Sequence, residues 1–111
     1  SVGHCGGVYE SRNGGASAPA LNASRPPGEW QSFRIWFSAP RLAASGKKIG
    51  NARVLRVVLN GDVVQQNVDL PEPTVSHMKI AEASQNPIML QGDHGPVAFR
   101  NIYIKDELVS R

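Results

Sequence analysis

Apolar and polar residues alternate with a period of two along several stretches of the chain. In WQSFRIWFS (30–38), Phe33, Ile35 and Phe37 share one face while Ser32, Arg34 and Ser38 share the other, which predicts a half-buried strand. Pro40, which has no backbone donor to give to a ladder, ends it. The runs ARVLRVVL (52–59) and DVVQQNVDL (62–70) flank Asn60-Gly61. That dipeptide tolerates the positive φ needed at both central positions of a type I′ turn, so the two runs predict an antiparallel hairpin. PIMLQ (87–91) and PVAFRNIYIK (96–105) are expected to pair as a further hairpin across GDHG.

The last of these runs carries a parity change. Val97 and Phe99 share one parity, Ile102 and Ile104 the other, and a β-bulge at Arg100-Asn101 would keep Phe99, Ile102 and Ile104 on the core side. Residues 1–29 hold GHCGG, NGGASAP and NASRPPGE, too many Gly and Pro for a helix, and are expected to be loop with one short strand around Gly7–Ser11. LPEPTVSHMKIAEASQN (70–86) reads as a connection with one helical turn near Met78–Ala83. With several short strands and no convincing helix, residues 1–111 are expected to form a single all-β domain, a sandwich or jelly roll.

Composition narrows the function classes. A 111-residue chain that is 41% hydrophobic and 19% charged is that of an ordinary globular domain, not a disordered segment. The net charge of +3 comes from 12 basic and 9 acidic residues, and the basic ones are scattered from Arg12 to Arg111. A nucleic-acid footprint clusters its charge, so nucleic acid is not expected as a partner. Cys5 stands alone, which excludes a disulfide within the chain, and no Cys/His spacing matches a structural zinc site. No apolar run approaches the roughly 18 residues of a membrane span, and Ser1 opens a Gly-rich polar stretch unlike a signal peptide, as it also would after a signal had been removed.

Candidate chemistry concentrates in QGDHG (91–95), where Gln91, Asp93 and His94 bring an amide, a carboxylate and an imidazole to a strand end. These groups suit metal ligation or proton transfer, and imidazole titrates near neutral pH. They also suit a plain turn, with Asp93 capping it, His94 packing over Pro96, and Gly92 and Gly95 supplying backbone angles. Other candidates are weaker. His4 and Cys5 are adjacent in a Gly-rich loop, and Glu10 and Glu29 are isolated carboxylates. Asn22-Ala-Ser24 matches a glycosylation acceptor of a kind common by chance. Trp36 sits on the otherwise polar face of its strand, where its ring would stack on a sugar or cover a second sheet or an oligomer contact. Arg100 is a candidate partner for Asp93 or for a substrate oxygen.

The segments GEWQSFRIWFSAPRL (28–42), GKKIGNARVLRVVLNGDVVQQNVDLPEPT (46–74) and PIMLQGDHGPVAFRNIYIKDEL (87–108), preceded by CGGVY (5–9) and NASRPPGEW (22–30), resemble the C-terminal half of the 3-keto-disaccharide hydrolase domain. The resemblance implies a concanavalin-like jelly roll of two packed antiparallel sheets. It also implies secreted or periplasmic bacterial proteins that bind carbohydrate or act on it, some cleaving the glycosidic bonds of 3-keto sugars. Members of that family carry further strands before the Cys-Gly-Gly turn, so the sandwich is expected to be incomplete in this chain. The rows Phe33/Ile35/Phe37, Leu55/Val57/Leu59 and Phe99/Ile102/Ile104 would then take their facing layer from missing N-terminal strands of the same protein or from a neighbouring subunit.

Under the enzymatic reading, His94 is base or ligand of a divalent metal ion, Asp93 orients it, Gln91 and Arg100 bind hydroxyls, and Trp36 stacks on substrate. Under the other, the domain is a non-catalytic glycan-binding or assembly module. Any metal or sugar is expected near His94 rather than His77.

Overall fold

The computed structural model describes residues 5–8, 16–74, 80–92 and 95–106. It is all-β: strands β1 (Phe33–Ser38), β2 (Arg41–Leu42), β3 (Lys48–Gly50), β4 (Ala52–Leu59) and β5 (Asp62–Leu70) form two antiparallel sheets, ordered β1-β4-β5 and β2-β3. The β4–β5 hairpin turns where the sequence predicts. Asn60 and Gly61 adopt φ of 52° and 89°, and Leu59 pairs with Asp62. Asn60 also clamps the chain entering β1. Its backbone N donates to Ser32 O and its Oδ1 accepts from Ser32 N, both at 2.9 Å, while its Nδ2 donates to Ala23 O at 2.8 Å.

Two register shifts decide which residues reach the core. Along β1, Trp36 faces Arg56 but Phe37 faces Val54, so Leu55 is an extra residue in β4. Between β4 and β5, Val57 faces Gln65 and Val58 faces Val63, which leaves Val64 extra. The core is consequently Val54, Val57, Leu59 and Val64, with Val8, Ala23, Val68 and Leu70 packed against it. This corrects the expected row Leu55/Val57/Leu59: the bulge hands the place of Leu55 to Val54 and leaves Leu55 half-buried.

The N-terminal segment lies over β4 and β5. Val8 and Ser17 exchange backbone hydrogen bonds as an isolated bridge, and Ala20 N donates to Val64 O at 2.9 Å. Buried Gln65 holds the segment down, its Nε2 donating to Gly6 O and Ser17 O at 3.0 Å each and its Oε1 accepting from Ser17 Oγ at 2.7 Å. Of the strand expected around Gly7–Ser11, Gly7 and Val8 are described and only Val8 makes a bridge; residues 9–11 lie outside the described ones.

Three expectations change. Residues 80–83 are not helical, and residues 78 and 79 lie outside the described ones. PIMLQ (87–91) and the described 96–105 run join no ladder, so they do not form the expected hairpin. Phe99, Ile102 and Ile104 are 50%, 54% and 70% exposed rather than in the core. The reason is that alternation makes a segment competent as a strand, but a ladder needs a partner edge, and these residues meet none among those described. The same holds across β1: Phe33, Ile35 and Phe37 share the core face yet are 46%, 61% and 56% exposed, because the covering segment packs against residues of β4 and β5.

Candidate functional site

The QGDHG turn is described at Gln91, Gly92 and Gly95; Asp93 and His94 lie outside the described residues, as do His4, Glu10 and His77. Gly95 has a φ of 118°, a conformation in which a side chain is strained, so it serves the turn itself. Gly92 faces Val97, whose Cγ1 would stand 3.4 Å from an added Cβ, so the chain folds back on itself here. Gln91 is exposed. Among the described residues no three His, Cys, Asp or Glu side chains converge, so they build no metal centre; the donors expected at His94 fall outside them.

Arg100 takes a position the sequence did not suggest. Its guanidinium stands 3.8 Å from the centroid of Trp30, just ahead of β1. Such stacking engages the face of the guanidinium and leaves its in-plane donors directed outward. The expected ion pair with Asp93 involves a residue outside the described ones. Trp30 is held in turn, its carbonyl accepting from Arg25 Nη1 at 3.1 Å.

Trp36 is half-buried on the opposite face of β1 from Phe33, Ile35 and Phe37, between cations rather than open to solvent. Arg34 and Arg56 lie 5.3 and 5.4 Å from its ring centroid. Arg34 shares its parity on β1 and Arg56 is its cross-strand partner. Both arginines were missed by sequence reasoning. Parity alone would have flagged Arg34, whereas Arg56 depends on how β1 and β4 are paired. Trp36 also lines a groove of about 460 Å³ between β1 and the 101–106 segment, with Asn101, Tyr103, Lys105 and Asp106 on the far side. Gln91 and Arg100 do not line it, so the structure does not gather Trp36, Gln91 and Arg100 in one groove.

Two ion pairs among the described residues involve no residue that lines this groove. Lys48 on β3 pairs with Glu82 at 3.0 Å and also reaches Pro71 O, and Arg53 pairs with Asp69 at 3.5 Å across the hairpin. Cys5 is a free, exposed thiol.

Comparison with known families decides the affiliation. The sequence profile of the 3-keto-alpha-glucoside-1,2-lyase-like domain matches residues 2–105. The chain belongs to this family, the 3-keto-disaccharide hydrolase type of carbohydrate-active domain. The match takes in the QGDHG turn, Arg100 and Trp36. No match was found among curated proteins or among solved structures.

Proposed function

We propose that this chain contributes the QGDHG turn to a site that cleaves the glycosidic bond of 3-keto-glucosides by elimination. The observation that carries the reading is the family match over residues 2–105, which includes that turn. A ketone at C3 acidifies the hydrogen on C2. Removal of that proton and departure of the C1 glycosidic oxygen leave a C1=C2 double bond; the base keeps the C2 proton and the departing oxygen takes one from a general acid or water. This chemistry needs one base rather than the paired carboxylates of ordinary glycoside hydrolysis.

His94 is the base, Asp93 orients its imidazole, and Gln91 and the in-plane donors of Arg100 bind sugar oxygens. A divalent cation held by His94 would polarise the ketone further. Hydration of the double bond gives net hydrolysis. The setting is extracellular or periplasmic in a bacterium.

A second reading is a non-catalytic glycan-binding module, and the separation of Trp36 from Gln91 and Arg100 favours it. One experiment divides the two. A 3-keto-α-glucosyl disaccharide is incubated with the chain and released sugar is measured for the unchanged protein, His94→Ala and His77→Ala. Loss of about 100-fold or more in His94→Ala alone is expected, in the range of general-base contributions. Loss in His77→Ala but not in His94→Ala would reverse the assignment, and binding without release would establish the module.

A further inference from the structure

The tip of the β4–β5 hairpin carries a reactive dipeptide under restraint. In Asn60-Gly61 the asparagine side chain is open to attack by the next backbone nitrogen, because glycine puts no Cβ beside that nitrogen. Gly61 is exposed and nothing lies within 4 Å of the place a Cβ would take, so burial does not shield the pair from water. What restrains it is the anchoring of the half-buried Asn60 side chain. Its Oδ1 accepts from Ser32 N at 2.9 Å, and its Nδ2 donates to Ala23 O at 2.8 Å and to Gln31 Oε1 at 3.2 Å.

We infer that Asn60 is a deamidation site held latent by this clamp. In the step itself, Gly61 N loses its proton and bonds to Asn60 Cγ, the Cγ–Nδ2 bond breaks, and the nitrogen takes up a proton and leaves as ammonia. Water then opens the resulting succinimide at one of its two carbonyls, giving aspartate or isoaspartate. The net change is water for ammonia, with no oxidant or cofactor. The three hydrogen bonds fix the side-chain torsions of Asn60, and Cγ is brought over Gly61 N only once they have broken. The rate then follows the fraction of molecules in which residues 23–32 have parted from the turn.

Reclosing does not undo the conversion. Aspartate has no donor for Ala23 O or Gln31 Oε1 and sets a carboxylate against both acceptors. Isoaspartate also adds a backbone atom to a two-residue turn whose flanking Leu59 and Asp62 are paired, which displaces the register on one side. Since Asn60 clamps the chain ahead of β1, either product loosens the segment that enters that strand.

The test follows the 111-residue chain in mildly alkaline buffer, with and without enough urea to unfold it, and reads conversion by peptide mapping and mass spectrometry. Mapping separates Asn60 from Asn13-Gly14, which has the same chemistry outside the described residues. In urea Asn60 should convert at the rate of the synthetic peptide VLNGDVV (58–64). In buffer it should convert about tenfold or more slowly, the factor that roughly 1.4 kcal/mol of opening cost imposes. Gln31→Ala removes one acceptor from Nδ2 and should raise the buffer rate about two- to tenfold while leaving the urea rate unchanged. Gly61→Ala should slow the reaction in urea, where the fold has no part in it. Equal rates in buffer and in urea overturn the proposal, as does a Gln31→Ala buffer rate no higher than that of the unchanged chain. Conversion in urea that Gly61→Ala does not slow would overturn the succinimide route, and the proposal with it.

Discussion

Arg100 stacks on Trp30 with its guanidinium 3.8 Å from the ring centroid, which ties the final apolar run of the chain to the residues just before β1. That run joins no ladder among the described residues, so the stack is a side-chain rather than a backbone link to the sheet. Both residues are substantially exposed, so the contact is worth about 0.5–1 kcal/mol.

A double-mutant cycle should show this coupling. Trp30→Leu and Arg100→Met are each expected to destabilise the chain mildly in urea unfolding, and the pair to cost less than the sum by about 0.5–1 kcal/mol. Strict additivity would mean that the stack contributes nothing.

Gly6 and Gly28 offer a matched comparison. Both have φ near 90°, but an added Cβ at Gly6 would sit 2.9 Å from Val64 Cγ2, while at Gly28 nothing lies within 4 Å. Gly28→Ala should therefore carry only the backbone cost of a left-handed conformation, about 1–2 kcal/mol, and Gly6→Ala that cost plus displacement of a buried valine. The ordering is checked by thermal unfolding of the two variants. Equal costs would show that the N-terminal segment does not press on β5.

What was legible in the sequence was local. Asn60-Gly61 identified the central hairpin because type I′ geometry needs residues of that kind, and Pro40 lay just past the end of β1. The expected pairing of 87–91 with 96–105 does not form, since alternation specifies a face and no partner. The bulge expected at Arg100-Asn101 has a counterpart in the backbone, where Asn101 adopts a φ of 54°, but among the described residues no opposing strand makes it a bulge. At the site, the turn chemistry of Gly95 was readable. The cations around Trp36 were not, because Arg56 meets it only through the pairing of β1 with β4, which no single strand pattern displays.

Gln65 should behave as a structural pin. Gln65→Leu leaves the carbonyl of Gly6 and the hydroxyl of Ser17 without their partner and takes from the Ser17 carbonyl one of its two donors, at a cost of about 1–3 kcal/mol. Amide exchange at Val8 and Ser17 should accelerate first, since their bridge is tied to the sheet through it, and Ala20, which donates to Val64 O directly, should follow. Unchanged protection there would show that the backbone bridge alone secures the segment.

The bulge in β4 makes a prediction that runs against side-chain size. Regular alternation back from Leu59 through Val57 puts Leu55 in the core and Val54 outside, so Leu55→Ala would be the worse lesion. With Leu55 as the extra residue, Val54 is 8% exposed and Leu55 only half-buried. Full burial of a valine is worth about 1.5–3 kcal/mol, and a leucine that keeps part of its water-facing surface recovers only a fraction of its own larger value. Val54→Ala should accordingly cost about 2 kcal/mol and Leu55→Ala about half as much, measured by denaturant unfolding at matched conditions. The reverse order would restore the unbulged register, in which Phe37 faces Leu55 while Trp36 stays opposite Arg56.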